Sequence, residues 1–91
     1  MITALALMSL YRSPTIRLDE ISQQYLNLSP AEAAKRAARA ELPFPAFRLS
    51  TSQKAPWVVS AEELGRWIDQ ASEEARKQWQ RVQPEPLNHT G

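Results

Sequence analysis

Apolar and polar positions change their spacing several times along the chain, and each change marks an element. Residues 1–11, MITALALMSLY, are apolar almost throughout. So short a run is compatible with a helix or a buried strand. Its Ala, Leu and Met content favours a helix over Thr3–Tyr11. Ser13-Pro14 breaks it, and Thr15–Leu18, β-branched and alternating, reads as a brief extended piece. Leu18, Ile21, Tyr25 and Leu28 then recur at helical spacing, with Asp19 and Glu20 suited to a positive N-terminal end. This predicts a short helix over 19–26.

Ser29-Pro30-Ala31-Glu32 is a capping box with proline at the first helical position, where its missing donor is no loss. The helix it opens is expected to span Ser29–Glu41, because Pro43 disfavours helical geometry in the residue before it. Two helices joined by Asn27-Leu28-Ser29 have the spacing of a helix-turn-helix. In Ala46–Ser60, Phe47 and Leu49 alternate, STSQKAP is turn-like and WVV is rich in β-formers. A hairpin with a loop of about six residues is predicted there, with Trp57 in the core. Ser60-Ala61-Glu62-Glu63 is a second capping box, opening a helix that can run to Val82. Leu64, Trp67, Ile68, Ala71, Ala75, Trp79 and Val82 form one stripe on it, with Glu62–Arg66 and Glu73–Lys77 as outer pairs. The fold class expected is mainly α with a small β-hairpin: a winged helix-turn-helix with an extended C-terminal helix, over residues 1–82. Residues 83–91, QPEPLNHTG, read as a disordered polar tail.

Composition narrows the chemistry. Ninety-one residues make one domain, small enough that dimerisation is a common source of extra stability. There is no cysteine, and the one histidine, His89, lies near the end. The commonest nucleophile, base and metal ligands are therefore lacking. Carboxylate or serine chemistry is not excluded, but no spacing suggests it. No enzyme activity, cofactor or metal is expected. The apolar start is too short to span a bilayer and has no basic leader or cleavage site, so a cytoplasmic protein is expected.

The net charge of +1 is unevenly divided. Residues 29–60 hold Lys35, Arg36, Arg39, Arg48 and Lys54 against Glu32 and Glu41, whereas residues 61–91 hold four cations and six anions. Cations gathered in the middle third are what a phosphate-bearing partner needs. On the 29–41 helix, Glu32, Lys35, Arg36 and Arg39 fall within about 100° of arc, and Ala33, Ala34, Ala37, Ala38 and Ala40 fill most of the rest. Such a helix can approach its neighbours closely and offer its basic side outward. The bland alternative is a solvated face.

The stretches TALALMSLY, LDEISQQYLNLSPAEAAKRA and ELPFPAFRLSTSQKAPWVVSAEELGRWID resemble the pyocin activator family, and more loosely the Cox-type and excisionase-like regulators of temperate phages. SQKAPW (Ser52–Trp57) is the most distinctive piece. The resemblance covers about residues 2–70. It implies a DNA-binding transcriptional activator of bacteriocin or prophage genes, with Ser29–Glu41 as recognition helix and Ser50–Ala55 as wing.

The DNA-binding candidates are then Ser29, Glu32, Lys35, Arg36, Arg39, Arg48, Ser52, Gln53 and Lys54. Arginine pairs bidentately with guanine, the Ala31 and Glu32 amides suit a phosphate, and Glu32 either completes its cap or accepts from cytosine. The outer stripe residues Ala75, Trp79 and Val82 are candidates for an oligomer interface. Double-stranded DNA, a second copy of the chain and RNA polymerase are the partners considered. Two readings compete with sequence-specific regulation: a protein-interaction module docking through Trp67 and Trp79, and excisionase-like DNA bending by the same basic residues.

Overall fold

In a computed structural model of the chain, residues 2–82 are described. The tail expected at 83–91 lies outside them. The order is α1 (Ile2–Tyr11), β1 (Thr15–Arg17), α2 (Leu18–Ile21) passing into a π-helical turn (Ser22–Leu26), α3 (Pro30–Ala38), β2 (Val58–Ser60) and α4 (Ala61–Val82). This mainly helical chain with a two-stranded antiparallel sheet and a long last helix is consistent with a winged helix-turn-helix.

The core is small and central. Leu7, Ile16, Leu18, Ile21, Ala33, Ala37, Phe44, Val59, Ala61 and Leu64 form it, so every element from α1 to the first turn of α4 contributes. α1 lies antiparallel on the inner half of α4. Thr3 Oγ1 donates to Asp69 Oδ1 at 2.6 Å at one end, and the Ala61 amide donates to the Pro14 carbonyl at 2.8 Å at the other. Between them, Gly65 lets the helices touch. A Cβ there would stand 3.0 Å from the Ala4 nitrogen and 3.2 Å from its Cα, closer than backbone atoms tolerate.

The expected hairpin is much reduced. β2 pairs with β1, Thr15 opposite Ser60 and Arg17 opposite Val58, rather than with a strand from its own loop. The strand predicted around Phe47 and Leu49 shrinks to one bridge, in which Phe47 and Val58 exchange hydrogen bonds at 2.9 and 2.8 Å. Pro43 and Pro45 carry no amide to donate, and Leu49 points into solvent, so nothing extends the ladder. The wing is therefore a loop over 48–57 held at its root. Trp57 is half-buried against the core, as expected, and Phe44 meets Trp67 edge-on at 5.4 Å.

Helix α3 ends earlier than its proline predicted. Ala38 is its last residue, and Ala40 takes a left-handed φ of 56°. The Glu41 amide reaches back to the Arg36 carbonyl at 2.8 Å and the Ala40 amide to that of Ala37 at 3.1 Å. This is a Schellman-type stop built on alanine where glycine is usual. The helix expected over 19–26 is also irregular: its second half is π-helical and closes on Asn27, again left-handed at φ 55°. α4 starts at its cap and runs its full predicted length. Its outer pairs are Glu63–Arg66 at 2.9 Å and Glu74–Lys77 at 3.8 Å, each one residue away from the predicted partner.

Candidate nucleic-acid interface

The start of α3 follows its sequence. Ser29 is extended (φ −67°, ψ 156°) and its Oγ accepts from the Glu32 amide at 3.2 Å, with Pro30 in the first turn. The Glu32 side chain does not complete the box. Its Oε2 instead accepts from Arg36 Nε at 3.2 Å one turn on, between two half-exposed side chains. An i,i+4 pair of this kind contributes a few tenths of a kcal/mol. Because the Glu32 amide serves Ser29, the expected pair of free amides reduces to that of Ala31.

The helix faces the core through Ala33 and Ala37 alone, which are 0% and 8% exposed. Opposite them, at 100° per residue, Lys35 stands furthest from the core, with Ala31, Ala38 and Arg39 beside it. Lys35, Arg36 and Arg39 are all exposed, and Glu32 is partly so. The outer surface is thus a cationic ridge with alanine on its flank. Arg36 lies toward one edge, and Arg39 caps the helix end with its amide on Arg36 and Ala37 carbonyls.

The wing folds through its serines. Ser50 Oγ accepts from the Ser52 amide and Ser52 Oγ from the Lys54 amide, both at 3.1 Å, and the Ala55 amide returns to the Ser52 carbonyl. Ser52, Gln53 and Lys54 are exposed at its tip. Arg48 behaves differently from the other candidates. Its guanidinium lies over the Trp57 ring, 4.5 Å from the centroid, and its Nε is buried. That cation–π contact braces the wing root.

A cleft of about 270 Å³ runs between α3 and the wing, with Pro30 and Ala34 on one wall and Lys54, Ala55, Pro56 and Trp57 on the other. The structure therefore brings the start of the recognition candidate and the wing lysine together. Arg17 and Asp19 line the same cleft and were not among the sequence candidates. They pair through Nε–Oδ1 at 3.2 Å and Nη2–Oδ2 at 2.8 Å. The hydrogen bond from Arg17 holds the Asp19 carboxyl below its usual range, and Asp19 in turn raises the guanidinium. The cleft thus carries an anion that partly neutralises one of its cations. An Arg-x-Asp spacing at a strand exit was the available signal, but only the fold shows that it faces Lys54. Ala75, Trp79 and Val82 take no part in this cleft; they are exposed on the outer half of α4. Among the described residues there is no cluster of metal-ligating side chains, and no helix is long and apolar enough to cross a membrane.

The sequence profile of the family described as pyocin activator protein PrtN matches residues 3–75, most of the chain. The chain belongs to the pyocin activator family. That family is one of transcriptional activators rather than enzymes, and membership points to a regulator of pyocin genes. The matched span takes in α1 from Thr3, β1, α2 with its π-helical turn, α3, the 48–57 loop, β2 and α4 as far as Ala75, so it includes the start of the outer half of that helix. Neither the curated protein sequences nor the solved structures yield a match.

Proposed function

We propose that this pyocin activator family member binds double-stranded DNA through α3 and the wing, and acts from the cytoplasm to activate pyocin genes. The observation that carries the reading is the division of α3. Two alanines are all it gives to the core, while Lys35, Arg36 and Arg39 stand free of it on the outside. A helix that buries so little apolar area adds little to the fold through its inner side. Its outer side fits a major groove, which admits one α-helix.

In this reading Lys35 enters deepest and Arg39 follows it along the groove. Arg36 exchanges Glu32 for a phosphate or a guanine edge, so Glu32 acts as a holding partner rather than a base reader. Ala31 and Ala38, beside Lys35, are small enough to lie against thymine methyl groups. Ser52, Gln53 and Lys54 meet the backbone or minor groove from the wing, and Ser29 acts by fixing the helix start. Arg48 serves by bracing Trp57.

Fluorescence anisotropy with duplex DNA from upstream of pyocin genes, over a salt series, tests this. Each neutralised phosphate contributes about −0.9 to the slope of log K against log salt. A slope of roughly −3 to −5 per protomer is expected, largely lost in Lys35→Ala/Arg36→Ala/Arg39→Ala. Unchanged binding by that variant, or no binding by the intact protein at low salt, overturns the reading.

A further inference from the structure

We propose that the outer half of α4 is a self-complementary surface on which a second copy of this chain docks antiparallel. The proposal does not depend on DNA binding. Every residue from Asp69 to Val82 is exposed, yet among the charged and polar positions of this half Ala71, Ala75, Trp79 and Val82 recur at helical spacing. Ala61, Leu64 and Ile68 belong to or pack on the core, and their 3-4 spacing continues through Ala71, Ala75 and Val82, with the polar Gln78 as its one interruption. That is the a/d pattern of a coiled-coil seam. Trp79, 58% exposed, and Val82, 75% exposed, are the apolar bulk left in water.

Charge selects the occupant and its direction. Setting Ala71 opposite Val82 of the second copy, and Ala75 opposite Gln78, brings Glu74 of each chain within two positions of the level of Arg81 of the other. At a rise of 1.5 Å per residue that is an offset of about 3 Å, well within the reach of both side chains. The two-fold axis makes this ion pair twice. A parallel pairing would place Glu74 beside Trp79 and lose both pairs. Among the described residues of one chain, Glu74 pairs with Lys77 alone, at 3.8 Å one turn along. The small side chains of Ser72, Ala71 and Ala75 leave room for the partner copy's indole.

The register also fits the fold. The end of the second helix, at Val82, reaches the level of Ala71, just short of Ile68, where the stripe enters the core. Pairing thus requires no rearrangement of either domain. It places the two copies at opposite ends, with the starts of their α4 helices about 46 Å apart.

Cysteine cross-linking reads this geometry, and the natural chain has no cysteine to confuse it. Within one chain, positions 71 and 82 are about 16 Å apart along the helix, too far for a disulfide. Under mild oxidation Ala71→Cys/Val82→Cys is expected to form covalent dimers, while Ala71→Cys alone and Val82→Cys alone stay monomeric. Sedimentation of the unmodified protein gives an independent reading: a mass that doubles with concentration, lost in Glu74→Arg and regained in Glu74→Arg/Arg81→Glu. Cross-linking by either single variant indicates a parallel or random encounter and overturns the proposal. So does a monomeric mass at the highest attainable concentration, or a charge-swapped variant that stays apart.

Discussion

Helix α3 and the outer half of α4 use the same small residue in opposite ways. In α3, Ala33 and Ala37 are the only side chains turned to the core, and the cations stand outside. In outer α4, Ala71 and Ala75 lie in a stripe that is itself outside, and among the described residues nothing covers it. Alanine periodicity alone therefore does not reveal which face of a helix is buried. The deciding factor is whether larger neighbours supply a floor. Ile21, Leu18 and Leu64 do so beneath α3 and the first turns of α4, and the core ends before Ala71.

The largest effects expected from breaking this contrast lie in the floor itself. Leu64 is fully buried, and Leu64→Ala should cost roughly 2–5 kcal/mol, read as a lower denaturation midpoint with unchanged cooperativity. Next comes the same substitution on the two helices. Ala33 is 0% exposed, so Ala33→Leu has to force its neighbours apart and should cost about 1–3 kcal/mol. Ala75→Leu, on the exposed stripe, should leave the dilute monomer's stability within about 0.5 kcal/mol. Equal losses at both positions, by thermal melts at low concentration, would mean that the outer half is not free. Gly65→Val should fall in the same range as Ala33→Leu, because α1 would have to lift off Ala4. Its contrast partner is Ala40→Gly, which relieves a left-handed alanine and should stabilise by about 1 kcal/mol.

The smallest effect concerns charge. Asp19→Asn removes the anion from the cleft and frees Arg17, so the salt slope of DNA binding should steepen by about one phosphate contact. Fold stability should hardly move, since both side chains are more than a third exposed. The sign with pH follows from the depressed Asp19 carboxyl. What the pair contributes is present above the ordinary carboxylate pKa of about 4. It fades as the pH falls through the lower folded value. A steepened slope with a slightly shallower acid limb of stability is the pattern to look for.

Local chemistry was legible in the sequence, and long-range pairing was not. Ser29 and Ser60 announced two helix starts, and both accept from the amide three residues on. The stripe of α4 announced its length. By contrast, β2 pairs with β1 from more than 40 residues earlier, a partnership that no turn residue encodes. The end of α3 was misplaced because its left-handed stop falls on alanine, and only glycine or asparagine would have signalled it. The π-helical turn over Ser22–Leu26 has no sequence signature at all; its Ser22 hydroxyl is buried without a hydrogen-bond partner. At the candidate site, the exposed cations of α3 were readable from their arc. Arg48 was not separable from them, because whether an arginine faces solvent or lies on a tryptophan depends on the chain returning to place Trp57 beneath it. Arg17 was missed for the same reason, since only folding brings it to the cleft that Lys54 also lines.

Which surface meets DNA is most directly seen by backbone amide NMR on titration with duplex DNA at low salt. Shift changes gathered on Ala31–Arg39 and Ser52–Lys54, with Ala71–Val82 unmoved, are the result expected. Changes confined to the outer half of α4, or none on α3, would contradict the assignment of α3 as the DNA-reading helix.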